Sequence, residues 1–214
     1  MMVQQMLDRP GAVRRATPAS ASATQTVKAA EAAAPTGSRA PFVLLGGLPG
    51  AGKSTAIAEV AGGLSGVGVL DSDSVRDAIG SRLPVGTPYR HYRPVVHALH
   101  QWTIVWRLLR GPGASRGLLV HDPSTRAGRR TLLARLAHLR GWQPRLVFID
   151  VDPAVALRGQ HDRARVVAAE AFARHTRRWQ AQRDLITTET PWSSVDIVSR
   201  AQTPACLRSR LAGG

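Results

Sequence analysis

The segment Gly47-Leu48-Pro49-Gly50-Ala51-Gly52-Lys53-Ser54 leaves this chain few ways to fold. It stands directly after the apolar run Phe42-Val43-Leu44-Leu45 and ahead of Thr55 to Ala61, a stretch that reads as helix. A short continuous apolar run that stops at glycine is the pattern of a buried parallel strand. Gly47, Gly52, Lys53 and Ser54 fit the spacing G-x-x-x-x-G-K-[ST]. Three linked phosphates carry dense negative charge, so a backbone that holds them must curve with its N–H groups pointing inward. Glycine permits that curvature, and a helix opening at the end of the loop adds free amides and the positive end of its dipole. The segment is therefore expected to hold the phosphates of ATP or GTP. Lys53 would reach the outer phosphates, and the Ser54 hydroxyl would be a ligand to Mg²⁺. Pro49, Gly50, Ala51 and Thr55 complete the expected nucleotide contacts.

Further apolar runs follow at Val67-Gly68-Val69-Leu70, Leu118-Leu119-Val120, Leu146-Val147-Phe148-Ile149 and Val195-Asp196-Ile197-Val198. Helical stretches separate them. Val75 to Gly80 is short. Val95, Leu99, Trp102, Trp106 and Leu109 share one helical face, and Leu132, Leu133, Leu136 and Leu139 line another. Ala168 to Ile186 is longer, and Leu207 to Leu211 closes the chain. Strands alternating with helices predict an α/β fold with about five parallel strands covered on both faces. Such sheets bind ligands beyond the carboxyl ends of their strands. With 214 residues there is room for one such domain, placed at residues 41–214. Residues 1–40 are rich in Ala, Ser and Thr and lack apolar periodicity, so they read as a disordered tail or a wrongly assigned start rather than a transit peptide.

No apolar run approaches the roughly 20 residues that span a bilayer, so no membrane partner is expected. Cys206 is the only cysteine, which points to a reducing, cytoplasmic compartment. The formal charge of +15 has two readings. It fits a polyanionic partner such as nucleic acid, and it fits arginine drift in a GC-rich genome. Lys28 and Lys53 are the only lysines among the 29 basic residues, which sets Lys53 apart on either reading.

The remaining chemistry clusters after the other strands. Asp71-Ser72-Asp73-Ser74-Val75-Arg76 follows the second. Asp73 suits a base that accepts a hydroxyl proton, with Arg76 three residues on holding the acceptor or a phosphate; otherwise Asp71 or Asp73 only caps the next helix. His121-Asp122-Pro123-Ser124-Thr125-Arg126 follows the third run. Asp122 either binds Mg²⁺ through water or positions the acceptor. Arg158 to Arg165 is arginine-dense and suits a lid that neutralises a moving phosphoryl group, or else is a solvated basic loop. The segment Tyr89-Arg90-His91-Tyr92-Arg93 either clamps a nucleic-acid end by stacking or is a surface loop. His97 and His100 have no third ligand nearby and read as packed or solvated side chains, not a zinc site.

The glycine segment with Thr55, the Asp71–Arg76 segment, the His121–Arg126 segment and Arg163-Ala164-Arg165-Val166-Val167 together resemble the small P-loop kinases of the polynucleotide-kinase type, a group that includes many bacterial AAA-family ATPases. The resemblance covers residues 41 to 200 in order and spacing. It implies a three-layer P-loop NTPase with a small helical lid at about 158–168. By position it makes Lys53 and Ser54 the phosphate and metal residues, Asp73 the general base, Arg76 its partner, Asp122 a second acceptor-site acid and Arg163 the lid arginine. His121 departs from the pattern, which has a small or acidic residue there, and Pro84 to Pro94 has no counterpart. The resemblance implies a kinase that moves the γ-phosphoryl of ATP to a hydroxyl on a nucleic-acid 5′ end or a small molecule. The alternative is a non-catalytic or slowly hydrolysing ATP-dependent binding or regulatory module.

Overall fold

The computed structural model describes residues 25–27, 39–161 and 167–212. Each predicted apolar run is a strand: β2 (Pro41–Gly47), β3 (Val67–Leu70), β4 (Gly117–His121), β5 (Gln143–Ile149) and β6 (Ser194–Val198). These five are parallel, in the order β6-β5-β2-β4-β3. A sixth strand, β1 (Gln25–Val27), pairs antiparallel with β6 at the edge. It lies within the segment expected to be a tail; the other residues up to 38 lie outside the described ones.

The central strands are apolar on both faces because both faces are covered. Every residue of β2 is buried, and so are the last six of β5. The covering helices are α1 (Lys53–Ala61), α2 (Ser72–Gly80), α3 (Tyr89–Leu109), α4 (Ala127–Leu139), α5 (Pro153–His161), α6 (Ala169–Gln182) and α7 (Thr203–Leu211). From β2 the chain crosses to β3, then returns through β4 and passes β2 to reach β5 and β6. Right-handed crossovers therefore put α1 and α3 on opposite faces. Packing agrees: α7 lies against α1 and over β2, β4 and β5, whereas α3 and α4 pack together, α3 on β3 and α4 on β5. The result is a three-layer α/β sheet whose direction of winding reverses at β2, which leaves a crevice at the carboxyl end of that strand.

Three local readings change. The stripe Val95, Leu99, Trp102, Trp106 and Leu109 is on one face of α3, but that face is exposed, with Trp102 at 65%. Val96, His100, Ile104 and Leu108 go inward instead. Leu132 and Leu139 are likewise exposed while Leu133 is buried. Tyr89 to Arg93 is not a loop but the first turn of α3, which opens after Pro88.

Candidate active site

The crevice beyond β2 holds the glycine segment, and its backbone explains the glycines. Gly50 and Gly52 have φ of 87° and 102°, in the left-handed region. A Cβ on Gly50 would stand 2.0 Å from the Ala156 carbonyl oxygen, so α5 packs directly on the loop. Gly52 is the N-cap of α1 and has no side chain to bond the first-turn amides, and no acid occupies that turn. An uncapped helix start without an acid is the kind of helix end that receives an anion. The Lys53 ammonium is buried and donates to the carbonyls of Gly47 at 2.7 Å and Leu48 at 2.9 Å, which holds it against the loop.

Residues from distant parts of the chain brace this loop. Arg200, just past β6, donates to the Ala51 carbonyl at 3.1 Å and the Gly50 carbonyl at 3.0 Å. Gln160 on α5 donates to the Pro49 carbonyl at 3.1 Å and accepts from the Val167 amide at 2.8 Å. Neither residue stood out in the sequence. Arg200 was findable, because it follows an apolar run where a parallel sheet places its ligands.

The acids after β3 divide between two tasks. Asp71 is the N-cap of α2 and accepts from the Asp73 amide at 3.2 Å. It also lies 2.5 Å from Nδ1 of His121, the residue that departs from the family pattern. Burial pushes the Asp71 carboxyl up, but the hydrogen bond and charge of His121 and the Asp73 amide outweigh it and hold the group below its ordinary value. Asp73 is not the cap. Its Oδ2 lies 3.5 Å from the Ser54 hydroxyl, at the mouth of the glycine loop. Arg76 stacks over the Tyr89 ring at 4.6 Å, one turn along.

Asp122 is buried at the end of β4. One carboxylate oxygen accepts from the Ser124 amide at 2.7 Å and the Ser124 hydroxyl at 3.2 Å; the other meets Arg129 at 3.0 Å and Gln101 at 3.4 Å. This turn supports Ser124 at φ 53°, a value that a non-glycine residue adopts only with such help. His100 is buried and bonds the His121 carbonyl at 3.0 Å, and burial lowers its pKa.

A cleft of about 850 Å³ joins these groups. Its lining includes Lys53, Ser54, Asp73, Arg76 and Asp122, so the structure brings together these predicted residues. Arg163 lies outside the described residues. From α6 the cleft receives Arg174, His175 and Arg178, which sequence reading passed over. Arg174 and Arg178 are four apart on one helical face, which was a legible signal. The His175 ring is 2.9 Å from the Thr125 hydroxyl, and burial with the neighbouring Arg178 charge lowers its pKa. Among the described residues, no group of three His, Cys, Asp or Glu is placed to hold a metal ion unaided, and no helix is long and apolar enough to cross a membrane.

Solved structures share this architecture at low identity. Kti12 from Chaetomium thermophilum in complex with ADP-AlF3 superposes with a TM-score of 0.53 at 12% identity, over 81% of this chain and all of that one. The PezAT toxin-antitoxin system of Streptococcus pneumoniae gives 0.54 at 17%, over 77% of this chain and 69% of that one. A gluconokinase from Sinorhizobium meliloti gives 0.50 at 15%, over 81% and 92%. No curated protein matches the sequence. The model of one protein family, described as an AAA domain, matches residues 42–188, well over half of the chain. With the glycine loop closing β2, the winding reversal at that strand and this match in hand, the chain belongs to the AAA domain family of P-loop proteins.

Proposed function

We propose that the protein is an ATP-dependent phosphotransferase that moves the γ-phosphoryl group to a hydroxyl acceptor. The observation that carries this is the position of Asp73, whose carboxylate faces the Ser54 hydroxyl at 3.5 Å across the mouth of the phosphate loop. A protein that only bound nucleotide would need no proton acceptor there. In the reaction, an Asp73 carboxylate oxygen takes the proton of the acceptor hydroxyl. The acceptor oxygen forms its bond to the γ-phosphorus while the bond to the β–γ bridging oxygen breaks, and ADP leaves with that oxygen.

The loop amides, the α1 N-terminus and Lys53 hold the phosphates, and Arg76 steadies the acceptor beside Asp73. The Ser54 hydroxyl offers an oxygen donor of the kind Mg²⁺ takes, and with no complete protein cage among the described residues the remaining ligands would be phosphate and water oxygens. When bound, Mg²⁺ would neutralise charge on the outer phosphates. Arg174 and Arg178 on α6, with Arg163 in the preceding segment, are the groups for charge that develops on the moving phosphoryl. Asp122 orients the acceptor side through Ser124 and Arg129. Kti12, a neighbour solved with ADP-AlF3, supports a nucleotide as the ligand.

The test is a γ-labelled ATP transfer assay over 5′-hydroxyl oligonucleotides, nucleosides and sugars. Asp73→Asn should keep ATP affinity and cut transfer by roughly 10² or more. Lys53→Ala should abolish turnover. If Asp73→Asn transfers phosphate at the wild-type rate, the base assignment is wrong; if label reaches only water in every assay, the protein is a nucleotide-dependent switch.

A further inference from the structure

The cleft is far more positive than a nucleotide alone requires. Among the described residues, seven lysine or arginine side chains line it against two carboxylates, Asp73 and Asp122. Asp122 is already matched by Arg129 at 3.0 Å. The excess falls into two groups by topology. Arg174 and Arg178 come from α6, which follows β5 on one side of the glycine loop. Arg76, Arg93 and Arg126 come from α2, α3 and the residue before α4, which belong to the β3–β4 half on the other side. That second half is where Asp73 stands.

No ion pair joins Arg76, Arg93 or Arg126 to a carboxylate among the described residues. Arg93 is nevertheless held in place. Its Nε donates to Nε2 of His97 at 3.2 Å, which leaves both terminal amino groups for a ligand. Burial and the Arg93 charge lower the pKa of His97, so the imidazole is neutral and accepts this bond at pH 7. Arg76 is held by its stack on Tyr89, which also lines the cleft. Arg126 lines the cleft without a carboxylate partner among the described residues, and Arg76 and Arg93 are each held by a neutral one; arginines left uncompensated in this way recognise phosphate, because the planar fork can donate two parallel hydrogen bonds to it.

Resting on the kinase reading, we infer that the acceptor is itself an anion: a small hydroxyl compound that carries a phosphate ester, gripped by Arg93 and Arg126 while its hydroxyl faces Asp73. Size favours a small ester over a nucleic acid. The whole cleft, nucleotide phosphates included, has the volume of a site for one or two small molecules. In the transfer the resident phosphate ester stays intact. Only the hydroxyl proton and the γ-phosphoryl of ATP change place, so the product carries one phosphate more than the acceptor.

The experiment uses the full chain and acceptors paired by framework: ribose with ribose 5-phosphate, glucose with glucose 6-phosphate, glycerol with glycerol 3-phosphate, and nucleosides with their 3′-monophosphates, plus a 5′-hydroxyl decanucleotide. In parallel, a thermal shift with inorganic phosphate is read in the presence of a non-hydrolysable ATP analogue. The expected result is transfer to a phosphorylated member at least a hundredfold above its uncharged partner. An Arg93→Gln, Arg126→Gln double variant should raise KM for that acceptor tenfold or more, leave the KM for ATP within twofold, and lose the phosphate-induced shift. Equal transfer to uncharged partners, transfer to the decanucleotide alone, or an unchanged acceptor KM in the double variant would overturn the inference and leave the kinase reading standing. A phosphate shift that the double variant loses, with no transfer to any acceptor, would instead sink the kinase reading and keep the anion site.

Discussion

Gly50 has no room for a methyl group. Its φ is 87°, and an added Cβ would lie 2.0 Å from a backbone oxygen of α5. Neither the loop nor that helix can give way cheaply, so Gly50→Ala should lose at least ~2 kcal/mol of stability along with nucleotide affinity. Gly62→Ala, where nothing lies within 4 Å and φ is −63°, should be neutral or slightly stabilising in the same urea titration. Asp71 offers a second test. Its native pKa is depressed, so its contribution is complete above the unfolded carboxylate value of ~3.9 and is lost as pH falls through the lower native value. The stability gap between wild type and Asp71→Asn should therefore shrink below about pH 4, as followed by urea midpoints from pH 5 to pH 3. The sequence reads Asp73 as the base, or else either Asp71 or Asp73 as no more than a helix cap. The structure separates them because His121, fifty residues away in the chain, takes Asp71.

At the scale of elements, the buried anchor of α6 is a single side chain. Trp179 stacks on Phe148 of β5 with ring centroids 3.7 Å apart, and its indole donates to Asp150 at 2.9 Å. It is the one buried residue of that helix. Trp179→Ala should cost ~3–5 kcal/mol by chemical unfolding, and Trp179→Phe much less. Because α6 carries Arg174 and Arg178, the alanine variant should also transfer phosphate more slowly at saturating ATP. The five parallel strands were legible because doubly covered strands are continuous apolar runs between turn residues. The α3 face was not. That helix carries apolar residues on two sides, so its period announced a helix while leaving open whether Trp102 or Ile104 would meet the sheet. The start of α3 was missed as well, since Tyr89 to Arg93 has little apolar signal of its own.

For the molecule as a whole, the site is a junction of separate layers. Arg130, almost fully buried on α4, bonds the Ser124 carbonyl, Gln182 of α6 and Glu189 beyond it, and so ties the turn after β4 to the far end of the chain. Ligand binding at such a junction should stabilise the entire fold. ATP with magnesium at a hundred times its Kd should add about 2.7 kcal/mol, read as a rise in Tm, and Lys53→Ala should show little of that rise at the same concentration.

The order of residues was enough to establish the phosphate loop, the count of parallel strands and the strand ends at which chemistry gathers, since each depends on neighbours within a few positions: glycines that permit left-handed turns, apolar runs long enough for one strand. Pairings over a hundred residues apart, such as Arg200 on the loop carbonyls or Gln160 on Pro49, were decided by the tertiary structure alone, and so was the face of α3 that is buried. Those outcomes depend on which surfaces the winding of the sheet brings into contact, and no local pattern carries that information.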